Sequence, residues 1–193
     1  MPPLTPLPRR RLSGEARRAA ILDAAEGVFG SAGYHEATTR DIAAAAGVSE
    51  ALLYQHFDSK RRLFEAVIER AAADLEGRLR QAAASAQPID DAIDGYFAFV
   101  EDHSELYRVF FRQALQADAA FADLYRALAE RLLELCSGSL GEVAPEHRPV
   151  VAHALAGMVT ELGLWWVDEG RPARPWIVEH AARMARAIHE SEV

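Results

Sequence analysis

Apolar positions recur at helical spacing along most of this chain. Ile21, Leu22, Ala25, Val28 and Phe29 form the first stripe and predict a helix from about Gly14, which Gly30 and Gly33 are expected to end. Thr38, with Asp41 three residues on, makes a short-armed version of the capping box and opens a second helix. Gly47 ends that helix, because a residue without a Cβ enters the left-handed conformation that a sharp interhelical turn needs. Ser49 caps a short third helix. Ile42, Ala43, Ala46, Val48, Leu53 and Phe57 then face inward, while Ala51, Tyr54 and Gln55 are left on the opposite side. Ser59 starts a fourth helix whose stripe Leu63, Phe64, Val67, Ile68, Ala71, Leu75 and Leu79 keeps its period until Gln87-Pro88. Residues 89–102, 104–116, 119–137, 146–169 and 175–190 add five more, separated by His103-Ser104, Ala117-Asp118, Ser137 to Pro145 and Gly170-Arg171-Pro172. The expected fold is all-α, with about nine helices.

The segment from Thr38 to Lys60 reads as a helix-turn-helix. Its residues Ile42-Ala43, Ala46-Gly47-Val48-Ser49, Leu53-Tyr54, His56-Phe57 and Ser59-Lys60 fall in register with the pattern I-A-x-x-A-G-V-S joined to L-Y-x-H-F-x-S-K. In this the chain resembles the DNA-binding domain of the tetracycline-repressor (TetR) family. The match covers about the first third of the chain. For the remainder the resemblance implies a helical effector-binding and dimerisation domain. The expected organisation is a basic arm over residues 1–13, a three-helix DNA-binding domain over 14–58 and a helical domain over 59–193.

Charge sharpens that division. The formal net charge is -8, but residues 1–64 hold 9 Lys/Arg against 7 Asp/Glu while the rest hold 12 against 22. Positive charge lies with the helix-turn-helix, and an acidic remainder is repelled from phosphates, favouring one docking orientation. Arg9-Arg10-Arg11, in a proline-rich start, reads either as an inert solvated tail or as an arm reaching phosphates or the minor groove. One cysteine, Cys136, excludes an intramolecular disulfide framework and a multi-cysteine zinc site, and reads as a small packed side chain. No apolar stretch reads as long enough to span a membrane, and Met1 to Pro8 lacks the hydrophobic run of a signal peptide. The expected location is the cytoplasm.

A recognition helix presents short or polar side chains to base edges while longer donors beside it grip phosphates. Gln55 is the leading base reader, since its amide can pair with adenine N6 and N7, and Ala51 can touch a thymine methyl. Glu50 can accept from cytosine N4 or simply strengthen the N-terminus of the helix that Ser49 caps. Tyr54, His56 and Lys60 match backbone-gripping positions of the resembling family, and Thr38, Thr39 and Arg40 begin the preceding helix at a second phosphate. Lys60, Arg61 and Arg62 also put cations at the positive end of a helix dipole, a conflict that a bound phosphate would remove. For His56, bridging the two helices is an equal alternative. Leu52 departs from the family pattern, which commonly has a small or hydroxylated residue there.

One helix-turn-helix contacts few bases, so two copies on a near-palindromic double-stranded operator are expected. The broad stripe Val151, Ala154, Leu155, Met158, Val159, Leu162, Trp165 and Trp166, with Ile177, Val178, Ala181, Ala185 and Ile188 of the last helix, is the expected homodimer interface, and Gly157 and Gly163 allow close approach. The resemblance further implies a chamber for a largely apolar small-molecule effector. Phe97, Tyr107, Phe111, Tyr125 and Trp165 are its expected walls, with core packing the alternative for each, and Arg112, Gln113, His153, Thr160 and Glu161 are candidate polar anchors, with a solvent-exposed face the alternative for each. Effector binding would tilt the Ser59 to Ala86 helix and move the paired reading heads off successive major grooves, relieving repression. No cofactor and no metal site is expected. An enzyme finds no support, for the chain has no Gly-rich phosphate loop, G-x-S-x-G, H-E-x-x-H or C-x-x-C. The alternative is a helical protein-interaction module without sequence-specific DNA binding.

Overall fold

The computed structural model describes residues 13–115, 119–140, 143–170 and 172–190. The basic arm Arg9-Arg10-Arg11 and the side chains of Arg112 and Gln113 lie outside the described residues. Among those described, nine helices and no strand are present: α1 (Gly14–Glu36), α2 (Thr39–Ala45), α3 (Glu50–His56), α4 (Lys60–Ala83), α5 (Pro88–Asp102), α6 (Ser104–Leu115), α7 (Ala119–Ser139), α8 (Arg148–Asp168) and α9 (Arg174–Glu190). The caps at Thr38, Ser49 and Ser59 are those the sequence names, and Ser13 adds one at α1. Ser13 accepts from the N–H of Ala16, Ser49 from Leu52 and Ser59 from Arg62, at 3.1–3.2 Å. At α2, the Thr38 hydroxyl accepts from the Asp41 N–H (3.1 Å) and donates to the Asp41 carboxylate (2.6 Å), so the return bond closes on the hydroxyl.

Two glycines behave differently from each other. Gly33 breaks α1, with φ 78° and ψ 166°. Gly30, expected to help end the helix, is fully helical and buried. A Cβ there would lie 2.8 Å from Cβ of Glu105, so Gly30 is the point at which α6 crosses α1. Gly47 has φ 65° and makes the turn between α2 and α3.

One continuous apolar core runs from Ile21 in α1 to Ala185 in α9. Helix α4 belongs to it at both ends. Leu63, Phe64 and Val67 pack beneath α1 with Phe29, whose ring meets that of Phe64 edge-on at 5.0 Å, and Ala71, Ala72 and Leu75 continue the line beside α5. A smaller cluster of Leu140, Val143, Val151 and Ala152 closes the far end, packed by Leu133, Cys136, Leu155 and Ile188. Helix α8 corrects one expectation. It has 21 residues and contains an 18-residue stretch of mean hydropathy 1.4, long and apolar enough by length and composition to cross a membrane. Its apolarity has a different use here: one side is core and cavity wall, and the other carries an exposed apolar stripe.

Candidate nucleic-acid interface and internal cavity

The exposed side of α3 carries Ala51, Tyr54 and Gln55, while Leu53 on the opposite side is sealed in the core. The ends of α2 and α3 are tied together by side chains. Thr39 donates to Glu50 (2.5 Å), and the Thr39 hydroxyl is 3.3 Å from that of Tyr54. Glu50 is half-buried in this bond; its carboxylate is committed to bracing the two helices. Thr38, Arg40 and Ser49 are exposed around the same face, and His56 is half-buried behind it. Leu52 is half-buried.

Lys60 requires a correction. Its ammonium donates to the carbonyls of Tyr34 (2.9 Å), His35 (3.2 Å) and Ala37 (3.0 Å), and lies 4.7 Å from the centre of the Tyr34 ring. An ammonium has three hydrogens, and all three are used. Lys60 is a plug on the carbonyl end of α1, where a cation also meets the negative end of that helix dipole. The cationic first turn of α4 is balanced from within as well: Glu65, one turn on, takes Arg61 at 2.7 Å and Arg62 at 2.8 Å. Those bonds outweigh the effect of burial and hold the Glu65 carboxyl below its usual range.

The five expected chamber walls are not where space is left. Phe97 is fully buried and its ring packs edge-on against Trp166 at 5.5 Å; Tyr107 and Phe111 pack on each other at 4.5 Å. Tyr125 and Trp165 are on the surface. Instead a cavity of about 650 Å³ opens among α4, α5, α7, α8 and α9. Its wall is largely Leu75, Leu79, Ile93, Leu132, Leu155 and Val159, and small residues at Ala83, Ala92, Ala156 and Ala185 leave the room. Aromatic side chains fill the volume between helices; alanines facing one another vacate it. Leucines on α4, α7 and α8 with alanines on α4, α5, α8 and α9 were the available signal.

Polar groups sit at two places in the wall. Gln87, Asp90, Arg186 and His189 belong to the start of α5 and the end of α9, with Arg186 paired to Asp90. Tyr96 and Thr160 belong to the other. There Tyr107 donates to the carbonyl of Thr160 (3.2 Å), so in the 2.6 Å contact between the two phenols Tyr96 is the donor and Tyr107 the acceptor. Burial pushes the Tyr96 phenol up to about 12, against its hydrogen bonds, and pushes the Tyr107 phenol up as well. Cys136 forms part of the cavity wall, and burial raises its thiol. Of the candidate anchors, Thr160 lines the cavity, while His153 and Glu161 are exposed on α8.

Most of the expected interface residues face inward, while Ala154, Gly157 and Trp165 of that stripe face out. Val151, Trp166, Ile177 and Ala181 are buried within the chain, Leu155 and Val159 line the cavity, and Leu162 and Ile188 pack partly against the two cores. Gly163 receives the Tyr107 hydroxyl of α6 at a point where a Cβ would be 2.7 Å away. The apolar residues that α8 and α9 present outward are Val150, Ala154, Gly157 and Trp165, beside Trp176, Met184 and Ala187, with His153, Glu161, Glu179 and Arg183 exposed among them. Trp165 and Trp176 are 40% and 47% exposed, and the Trp176 ring stacks on His180 at 4.1 Å. These residues recur at helical spacing on one side of each helix, the side opposite the core.

A short recognition helix with its polar side outward, carried on a helical body that encloses a cavity, defines a helix-turn-helix regulator. Residues 21–67 match the family described as bacterial regulatory proteins, tetR family, and residues 86–187 match the tetracyclin repressor-like C-terminal domain. The HTH-type transcriptional activator FasR of Mycolicibacterium smegmatis is 32% identical over 170 residues, covering 84% of this chain and 77% of that protein. The HTH-type transcriptional repressor KstR2 of Rhodococcus jostii is 40% identical over 83 residues, 42% of this chain and 41% of that one. A TetR-like transcriptional regulator from Rhodococcus sp. RHA1 superposes with a TM-score of 0.74 at 29% identity, covering 93% of this chain and 97% of that one. The chain belongs to the TetR family of DNA-binding transcriptional regulators, which act as dimers.

Proposed function

We propose that this protein is a repressor that grips a near-palindromic operator as a homodimer and is released by a largely apolar small molecule held in the 650 Å³ cavity. One observation carries the reading: α4 is at once floor of the helix-turn-helix core, through Leu63, Phe64 and Val67, and wall of the cavity, through Leu75, Leu79 and Ala83. A ligand that moves the second set cannot leave the first set unmoved, because a packed helix transmits displacement along its length. Gln55 and Ala51 read bases, and Tyr54, His56, Arg40 and Thr38 meet phosphates around them. The effector's apolar body lies along the leucines and alanines, and its polar end meets the Gln87, Asp90, Arg186 and His189 group. The outward stripe of Val150, Gly157, Trp165, Trp176 and Met184 forms the twofold interface. Residues 14–58 act as the reading head and 59–193 as the body.

The test is enrichment of duplexes from a random library by the purified protein, followed by affinity measurement against salt. A specific half-repeated duplex should emerge, and its binding should weaken steeply with added salt. Gln55→Ala should cost about 1–3 kcal/mol on that duplex and relax selectivity at one base pair. Failure to enrich any sequence, or equal loss on enriched and random DNA for Gln55→Ala, overturns the reading.

A further inference from the structure

The α5 helix lines the cavity at one end and ends, at its C-cap, on His103. The ring of His103 sits against Phe99 at 4.8 Å. Its Nδ1 is 2.5 Å from the Glu26 carboxylate of α1, and its Nε2 is 3.4 Å from that of Asp74 in α4. A neutral imidazole has one N–H and one lone pair, and the lone pair would face a carboxylate; only the imidazolium puts a hydrogen on both sides.

The neighbours make the same demand. Arg70 of α4 spans Asp23 and Glu26, and Arg78 spans Asp74 and Asp102. Four carboxylates thus share two guanidiniums, and a protonated His103 supplies the third cation. From α6, the Glu105 carboxylate is turned to Arg108 (3.1 Å). The hydrogen bond to Glu26, against burial and with help from Asp74, raises the ring above its ordinary value of 6.5. Burial alone would raise Glu26; the bonds from His103 and Arg70 prevail and lower it.

We propose that His103 is a positioning residue for DNA reading: protonated, its ring latches α1 of the reading head to α4 and the cavity helix α5, and deprotonation loosens the head. The proposal rests on the DNA-reading function above. A group raised on folding contributes while the pH is low and loses its contribution as pH rises through the raised value; a lowered carboxyl loses its own as pH falls. The latch therefore holds from below the usual carboxylate range to above the usual imidazole range, and opens toward alkaline pH.

The probe is the enriched duplex, followed by fluorescence anisotropy from pH 6 to 9 at constant ionic strength, with His103→Gln, Glu26→Gln and the unaltered protein. His56 and His35 also lie in the reading head, so the comparison between proteins, not one profile, decides. The unaltered protein should lose affinity by about fivefold more across this range than His103→Gln, the low end of coupling between separated sites. Glu26→Gln should move that extra step to lower pH, which a merely structural role would not do. The His103 imidazole resonance in the free protein should titrate above 6.5. Parallel profiles for the unaltered protein and His103→Gln, or a ring titrating at or below that value, overturn the latch. A duplex bound with parallel profiles overturns the latch alone, whereas failure to enrich any duplex overturns the DNA-reading function and the latch together.

Discussion

Lys60 stands in a motif, Ser59-Lys60 at a helix start, whose resemblance implies a phosphate grip, yet its three hydrogens are taken by carbonyls of residues 34, 35 and 37. Nothing in the local pattern reports this, because the acceptors lie 23 to 26 positions earlier and arrive only when α1 has packed on α4. Lys60→Ala should therefore lower the unfolding free energy by about 1–3 kcal/mol, the range for losing a charged hydrogen-bonding group. Denaturant unfolding measures it; an unchanged midpoint would remove the plug. Glu50 is the companion case. Both sequence-level roles for it were local or facing DNA, whereas its carboxylate takes a proton donor, Thr39, from the neighbouring helix. Gln55 and Ala51, by contrast, were legible, since being opposite Leu53 on one short helix settles which side they occupy.

At the scale of elements, the helix boundaries follow from caps and breakers and fall within a few residues of those the sequence predicts. Gly30 is the exception, and its reason is tertiary: the absent Cβ admits Glu105 rather than ending a helix. Gly27, one turn earlier on α1, has nothing within 4 Å of a built Cβ. The two sites should then respond with opposite sign. Gly27→Ala should stabilise by up to about 1 kcal/mol through helix propensity, and Gly30→Val should destabilise by about 1–3 kcal/mol through overpacking. Thermal melts of the two variants check this, and equal shifts would show that α6 does not cross there. The crossing also ties the reading head to α6, just after the corner that His103 holds.

For the whole molecule, α8 is apolar on more than one side and α9 carries Trp176 and Met184 outside its core side, and the sequence alone does not say which side meets the chain's own core. The inward side took Val151, Trp166, Ile177 and Ala181. The side left over, with Trp165 and Trp176, is expected to meet a second copy. Trp165→Glu with Trp176→Glu should halve the mass seen by light scattering and abolish tight operator binding, since a charge in a buried interface without a partner is strongly unfavourable. A double variant that stays dimeric would place the twofold contact elsewhere. What the sequence determined by itself was local: helix periods, the caps at Thr38, Ser49 and Ser59, the Gly47 bend, the exposed side of α3 and the family, all carried by residues close to one another in the chain. The tertiary structure alone decided the cavity, the Lys60 plug, the His103 latch and the outward stripe. Each depends on which helix face meets which across tens of residues, and a broad apolar helix satisfies its own periodicity equally well in more than one rotation.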